Sequence, residues 1–271
     1  MERVGKWLQV GHLVGSSEGF VDEARKIPLM ARCTSCVLIS GEPGTGKEAC
    51  ARTIHHLSDR ATGPFVPMDC KGTAFDAAEA DLFGHERTGL PPTGGRIQAA
   101  EGGTLFLDGV DHLLFRLQMK LLRFLREQGR RYEDILGGEP VAVRVIASTA
   151  DEPLDRVRAG ALSQDLYAEL SVLPLKLLPL GQRREDILLL ARHFVERFSR
   201  ATGQPPLELS DAAVRKLQLH DWPGNVTELE HTIERAVALS EGGEITAQDI
   251  ALDCESPLGG MEPFREAKAR F

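Results

Sequence analysis

The sequence predicts an α/β domain with a parallel sheet, followed by a small all-α domain. Five short apolar runs alternate with helix-like stretches through the first two thirds of the chain. This alternation is typical of a parallel sheet with helices on both faces. A glycine-rich segment at residues 41–48 joins the first apolar run to a helix. After about Arg183 the sequence predicts only helices, with no strand between them.

The composition excludes several other classes of protein. The 271 residues are 42% hydrophobic and 27% charged, which rules out collagen-like, mucin-like and mostly disordered chains. No apolar run approaches the ~20 residues of a membrane helix, and five cysteines do not make a disulfide framework in a chain this long. We therefore expect a soluble cytoplasmic protein without a membrane segment. The net charge of −8 argues against a broad nucleic-acid-binding face.

The predicted elements follow in chain order. The apolar runs suit strands that are buried on both faces, and they cover residues 37–40, 65–68, 104–108, 141–149 and 172–178. Apolar residues at three- and four-residue spacing from Leu113 to Leu125 predict an amphipathic helix. Further helices are predicted over residues 47–57, 186–200, 211–219 and 226–240. Asn225 and Glu228 are expected to form a capping box at the start of the last helix, with Asn225 as the cap.

The segment Gly41-Glu42-Pro43-Gly44-Thr45-Gly46-Lys47-Glu48 has the pattern of a phosphate-binding loop. Its glycines let backbone N–H groups turn inward around phosphate oxygens, and the following helix adds the positive end of its dipole. Lys47 would reach the β- and γ-phosphates. The general motif has Ser or Thr, which holds Mg²⁺, where this chain has Glu48. A glycine-rich turn without a ligand is the alternative interpretation.

Four later segments extend this pattern, namely residues 79–86 (EADLFGHE), 102–108 (GGTLFLD), 183–187 (RREDI) and 221–226 (DWPGNV). From about Leu13 to Ile250 the chain resembles the AAA+ domain of bacterial sigma-54-dependent transcriptional activators, a family in which Glu48 is usual. The resemblance implies a P-loop AAA+ fold, in which a three-layer α/β domain carries a helical lid and ATP binds between them. It also implies a ring of subunits that hydrolyses ATP to remodel the sigma-54 RNA polymerase holoenzyme.

The resemblance divides the chain and assigns its site. We expect an N-terminal extension (1–12), an AAA+ α/β nucleotide-binding domain (13–182), a helical lid (183–251) and a C-terminal tail (252–271). ATP and Mg²⁺ are the expected cofactors, with Asp108 as the Mg²⁺ ligand. The expected nucleotide-binding residues are Val14, Gly41, Glu42, Pro43, Gly44, Thr45, Gly46, Lys47, Glu48, Asp108 and Asn225.

The chain departs from the family pattern at the residues that hydrolyse ATP. In the family, a Glu that polarises the attacking water follows the motif Asp, whereas here Gly109 follows Asp108. Loss of such a group costs a factor of ~10² to 10⁴ in rate. The Asn that holds this Glu between turnovers corresponds to Asp69. We therefore assign no catalytic residue.

The groups that contact the phosphates from elsewhere are changed as well. Two arginines from a neighbouring subunit, worth roughly 10³ to 10⁵ in rate, correspond to Ser163 and Glu169. The sensor Asn corresponds to Ala150, and the lid Arg corresponds to Thr227. These changes form a coherent set with those at the water-polarising position. Together they predict that ATP is bound but that its hydrolysis is impaired.

The surfaces that act on partners are also altered. The family's Gly-Ala-Phe-Thr-Gly-Ala loop, which touches sigma-54, is replaced by residues 87–95 with two adjacent prolines, so direct contact with sigma-54 is not expected. The roughly 20 residues after the lid are fewer than the ~40 that a small domain needs, so no DNA-binding domain is expected in this chain. AAA+ relatives, or copies of this chain in a ring, are the expected partners.

Three hypotheses about function stay open. The first is an ATP-binding regulator of transcription with impaired hydrolysis, a pseudo-ATPase. The second is a slow but active ATPase in which Asp111 replaces the missing Glu, although a residue three positions past Asp108 is expected to point elsewhere. The third is a protein-interaction module that binds no nucleotide.

Overall fold

The computed structural model describes residues 2–4, 7–10, 13–72, 75–85, 93–127, 142–150, 152–203, 205, 207–240 and 243–252. The strands in this part are β1 (Glu2–Val4), β2 (Trp7–Val10), β3 (Leu13–Gly15), β4 (Val37–Ser40), β5 (Phe65–Asp69), β6 (Gly84–His85), β7 (Thr93–Gly94), β8 (Thr104–Asp108), β9 (Arg144–Thr149), β10 (Leu173–Lys176), β11 (Glu208–Leu209) and β12 (Glu244–Ile245). The helices are α1 (Glu18–Ala24), α2 (Ile27–Ala31), α3 (Lys47–His56), α4 (Phe75–Phe83), α5 (Arg96–Ala99), α6 (Phe115–Glu127), α7 (Pro153–Arg158), α8 (Gln164–Leu170), α9 (Glu185–Thr202), α10 (Asp211–Leu219) and α11 (Asn225–Leu239).

A five-stranded sheet forms the centre of the α/β domain, in the order β10-β4-β9-β8-β5. All its neighbouring strands are parallel, and the register places Asp69 of β5 beside Asp108 of β8. The predicted parallel sheet is therefore confirmed, and the carboxyl ends of its strands meet at one edge. Pro67 and Pro174 lie in the edge strands β5 and β10, where a residue without an N–H is tolerated.

Helices cover both faces of this sheet, as predicted. Successive side chains of a strand point to opposite faces, and β4 follows this rule. Leu38 belongs to a hydrophobic cluster that includes residues of α4, α6 and α8. Its neighbours Val37 and Ile39 belong to a separate cluster that includes residues of α1, α2 and α3. Burial on both faces explains why the strand is an unbroken apolar run.

The lid helices α9, α10 and α11 share a third hydrophobic cluster around Trp222. The Nε1 of this buried residue donates to the Leu217 carbonyl at 2.9 Å. The prediction that no strand separates the later helices is wrong, because β11 lies between α9 and α10 and pairs in parallel with β12. Each of these strands has two residues, too few for an alternating pattern to be recognised.

The start of α11 also differs from the predicted capping box. Gly224, and not Asn225, is the N-cap residue. The Glu228 carboxylate reaches back and accepts a hydrogen bond from the Gly224 N–H at 2.7 Å, so the acidic half of the box forms around a cap one residue earlier. The amide of Asn225 is used elsewhere, in contacts with the phosphate loop.

The remaining described segments add an antiparallel sheet of β1, β2 and β3 at the N-terminus. The described helices include none with the length and apolar character needed to cross a bilayer. Residues 86–92 of the altered loop and the tail from residue 253 lie outside the described part of the chain.

Candidate functional site

The glycine-rich loop connects the end of β4 to the start of α3, as the sequence predicts. The Nζ of Lys47 donates to the carbonyl oxygens of Gly41, at 2.7 Å, and Glu42, at 2.9 Å. Thr45 Oγ1 also donates to the Glu42 carbonyl, at 2.8 Å. The loop therefore curls around its own lysine. The N–H groups in the first turn of α3 lie at the same place and suit an anion.

Gly44 brings the loop directly against the lid. Its φ of +77° lies in the left-handed region, and a Cβ at this position would lie 2.2 Å from the Gly224 carbonyl oxygen. Glycine is therefore required here. The Thr227 N–H donates to the Gly44 carbonyl at 3.2 Å. Thr227 stands where the family pattern implies a lid Arg. It therefore gives the loop a backbone hydrogen bond but no positive charge.

Asn225 holds the loop from the lid side. Its buried Nδ2 donates to Glu42 Oε2 and to the Pro43 carbonyl, both at 3.0 Å. Its Oδ1 accepts from the Leu180 N–H at 2.7 Å. The side chain predicted to bind nucleotide is therefore engaged with the loop and with the segment before the lid, and it positions the loop.

Arg183 and Val14 also connect the α/β domain to the lid. Arg183 Nη2 donates to the Thr45 carbonyl at 3.1 Å. Burial lowers the pKa of this guanidinium, and the charge of Asp186 opposes that shift. Val14, a predicted nucleotide contact, is buried in β3 and belongs to the lid cluster that also contains Leu180. The nucleotide-binding role of Val14 stays a prediction.

Replacement of Asn225 by alanine is expected to loosen the loop from the lid. The change leaves the Leu180 N–H without its acceptor and removes both donations to the loop. We expect a loss of about 1–3 kcal/mol in the free energy of unfolding and an affinity for ATP about tenfold weaker. Urea denaturation and equilibrium ATP binding measure the two effects.

Ser210→Ala is the control for this prediction. Ser210 caps α10 and its hydroxyl accepts from the Ala213 N–H at 3.2 Å, with no contact to the loop among its described hydrogen bonds. The control should cost about 1 kcal/mol of stability and leave the ATP affinity unchanged. Equal losses of affinity in the two variants would show that Asn225 acts through lid stability alone.

Asp108 lies at the end of β8, at the carboxyl edge of the sheet. Ser148 Oγ donates to its Oδ1, and Lys71 Nζ donates to its Oδ2 at 2.9 Å. Burial alone would raise the pKa of Asp108. The hydrogen bonds from Lys71 and Ser148, with the charges of Lys71 and Lys47, outweigh burial and hold that pKa below its usual value. Asp108 is therefore ionised, with the Lys71 ammonium in contact with it and the charge of Lys47 also acting on it.

Two residues after Asp108, Gly109 and Asp111, bear on the position of a water-polarising carboxylate. Gly109 has a φ of +77°, and its N–H donates to Ser148 Oγ at 2.9 Å. Asp111 is buried, and its Oδ2 accepts from Arg156 Nε at 2.7 Å. This ion pair engages Oδ2 of Asp111, whereas its Oδ1 is buried without a hydrogen-bond partner among the described residues, so the use of Asp111 in place of the missing Glu stays a hypothesis.

The pairing of Asp108 with Lys71 does not suit a resident Mg²⁺. The expected ligand Asp108 is paired with Lys71, and Glu48, which stands where the general motif has Ser or Thr, is paired with Arg52 at 2.6 Å. Within the part of the chain that the structure describes, no group of three or more His, Cys, Asp or Glu side chains is placed to hold a metal ion. The Mg²⁺ role of Asp108 stays a prediction that this pairing does not favour.

The positions that correspond to the family's inserted arginines have other contacts. The N–H of Ser163 donates to Gln118 Oε1 at 2.8 Å. The Glu169 carboxylate lies 3.7 Å from Arg126 Nε in an ion pair. Neither residue carries positive charge to a neighbouring subunit, and Glu169 carries negative charge.

Lys71 and Ser148 are the residues beside Asp108 that sequence reasoning missed. Lys71 is 37 residues from Asp108 in the chain, and Ser148 is 40 residues away. The pairing register of β5 and β8 is the signal that could have identified Lys71. Asp69 and Asp108 are paired across β5 and β8, so a residue two positions past Asp69 lies close to Asp108.

Comparison with known families agrees with this architecture. Residues 13–176 match the family described as the Sigma-54 interaction domain, and residues 181–259 match the AAA+ ATPase lid domain. Among curated proteins, the nitrogen fixation protein VnfA of Azotobacter vinelandii is 39% identical over 265 residues, which cover 95% of this chain and 50% of VnfA. The sigma54-dependent transcriptional activator SfnR of Pseudomonas putida is 43% identical over 227 residues, covering 82% and 62%.

Solved structures show the same fold. NtrX from Brucella abortus in complex with ADP has a TM-score of 0.80 and 32% identity, covering 95% of this chain and 59% of that one. NtrX in complex with ATP has a TM-score of 0.78 and 33% identity, covering 96% and 60%. This chain thus spans about half to three fifths of these relatives. The chain belongs to the Sigma-54 interaction domain family, the AAA+ family of sigma-54-dependent transcriptional activators.

Proposed function

We propose that this chain binds ATP between its α/β domain (13–182) and its lid (183–251) and regulates transcription with ATP hydrolysis impaired. One observation carries the proposal. The phosphate loop keeps Lys47, whereas the water-polarising position beside Asp108 is Gly109 and is covered by the side chain of Lys71. The ADP and ATP complexes of NtrX support nucleotide binding in the same fold.

We expect impaired hydrolysis because the site lacks a water-polarising carboxylate and an inserted arginine, and because it adds the negative charge of Glu169. A water-polarising carboxylate is worth a factor of ~10² to 10⁴ in rate, and an inserted arginine is worth about 10³ to 10⁵. Gly109 supplies no carboxylate, and Ser163 supplies no cation. Glu169 would bring negative charge toward the γ-phosphate in a ring of identical subunits, because it stands where the family supplies an arginine.

The effect of this chain on transcription would then depend on ATP binding and not on ATP hydrolysis. Gly44 and Asn225 already connect the loop to the lid, and ATP bound at the loop would hold the two together further. A closed unit of this kind could join active AAA+ relatives, or copies of itself, and alter the activity of the ring. Remodelling of the sigma-54 holoenzyme by this chain is not part of the proposal, because the segment 87–95 lacks the family's contact motif.

Titration with ATP tests the binding step. ATP at a hundredfold excess over its Kd should stabilise the folded chain by about 2.7 kcal/mol, measured as a rise in the midpoint of thermal unfolding and by equilibrium dialysis. Adenosine is the ligand control, since it lacks the phosphates that the loop would bind. An absence of ATP binding at millimolar concentration would favour the interaction module that binds no nucleotide.

A further inference from the structure

We propose that the ammonium group of Lys71 takes the place at Asp108 that a divalent cation would otherwise fill, so that this chain binds ATP without Mg²⁺. This inference rests on the ATP binding proposed above and adds the nature of the counterion. It assigns a binding role to a residue outside the phosphate loop. The argument depends on the position of Lys71, on the space that its side chain fills and on the surrounding charges.

Lys71 is held at the carboxyl edge of the sheet by two contacts. Its backbone N–H donates to Asp69 Oδ1 at 2.9 Å, and its Nζ donates to Asp108 Oδ2 at 2.9 Å. The second oxygen of Asp108 accepts from Ser148. Both oxygens of the expected Mg²⁺ ligand are therefore engaged, one of them by a cation. Asp69 stands where the family has a polar switch residue, and here it positions Lys71.

The stem of Lys71 also fills the space beside Gly109. A Cβ at position 109 would lie 2.9 Å from Lys71 Cε and 3.3 Å from Lys71 Cγ. The φ of +77° at Gly109 disfavours any larger residue as well. A glutamate at position 109 would therefore require the Lys71 side chain to move aside. The Lys71 side chain covers the place of the family's Glu and brings a positive charge to the carboxyl edge of the sheet.

The charges around Asp108 suit a triphosphate without a metal. The ammonium group of Lys71 forms an ion pair with Asp108, with 2.9 Å between Nζ and Oδ2. Lys47 stands in the phosphate loop, where its Nζ donates to the Gly41 and Glu42 carbonyls. Mg²⁺ sheds its water reluctantly and would have to displace the Lys71 ammonium from Asp108.

The affinity for ATP in excess EDTA and in excess Mg²⁺ tests this proposal, with equilibrium dialysis of labelled ATP on the full chain. The wild type should bind ATP with Kd values that agree within about threefold in the two buffers. Lys71→Met keeps an aliphatic stem over Gly109 and removes the charge. This variant should lose at least about tenfold in affinity in EDTA, and Mg²⁺ should restore part of the loss. Lys71→Arg should retain binding in EDTA.

Lys120→Ala is the matched control. Lys120 also pairs with a carboxylate, that of Glu79, and its side chain is 45% exposed against 46% for Lys71. Its affinity in EDTA should equal that of the wild type. A wild-type affinity that falls tenfold or more in EDTA, or an unchanged affinity in Lys71→Met, overturns the role of Lys71 and leaves ATP binding standing. No binding of the wild type in either buffer overturns both proposals.

Discussion

Replacement of Lys47 by alanine is expected to abolish the stabilisation that ATP gives to the folded chain. Lys47 is the cation at the centre of the phosphate loop, where its Nζ donates to two loop carbonyls. A triphosphate would compete for this ammonium, which is its main positive partner in the loop. At an ATP concentration that gives the wild type about 2.7 kcal/mol, the variant should show no rise in its unfolding midpoint.

Lys216→Ala provides the matched control for the Lys47 variant. Lys216 also donates its Nζ to a backbone carbonyl, that of Ala247 at 3.0 Å, but it lies in the lid. The two substitutions should cost similar stability without ligand, about 1 kcal/mol each. The ATP-induced shift should persist in the control. A shift that persists in Lys47→Ala as well would place any bound ATP outside the loop.

Replacement of Asp186 by alanine is expected to cost about 3 kcal/mol in the free energy of unfolding. This fully buried carboxylate accepts hydrogen bonds from the backbone N–H and the hydroxyl of both Ser16 and Ser17. It joins the segment before α1 to the first turn of the lid helix α9. Its charge also opposes the effect of burial on Arg183. The substitution therefore leaves buried donors without acceptors and weakens the support of a buried cation.

Urea denaturation followed by tryptophan fluorescence measures this loss. Trp222 is buried in the lid, and a Trp7→Phe background leaves it as the sole tryptophan. Asp155→Ala is the control, because Asp155 pairs with Arg158 on an exposed face and should change stability by no more than about 0.5 kcal/mol. A loss below about 1 kcal/mol for Asp186→Ala would contradict the importance of this junction.

The sequence predicts the sheet and its faces because the relevant signals are local. The five strands are apolar runs that are buried between helix layers, and the phosphate loop is a contiguous motif between a strand and a helix. Edge strands keep their runs in spite of Pro67 and Pro174. The two-residue strands β11 and β12 escape prediction because their pairing is formed by segments far apart in the chain and too short for a pattern.

The site is predicted less completely, since its key contacts join distant parts of the chain. Asn225 looks like a helix cap in the sequence, yet its amide bonds the loop more than 180 residues away. Lys71 looks like an ordinary charged residue until the register places it beside Asp108. The sequence shows that Gly109 stands where the family has a Glu. Only the structure shows that the Lys71 side chain lies against Gly109. The family resemblance identifies residues within its motifs, and Lys71 and Ser148 lie outside those motifs.

A single-turnover experiment tests most directly whether the chain holds ATP without cleaving it. The protein is held in excess over ATP labelled at the γ-phosphate, with Mg²⁺ present, and both bound nucleotide and free phosphate are followed. The account predicts bound nucleotide that is recovered as ATP, with cleavage slower than about 0.01 s⁻¹, a thousandth of an ordinary enzyme turnover. Phosphate release at about 1 s⁻¹ or faster that disappears in Lys47→Ala would contradict it.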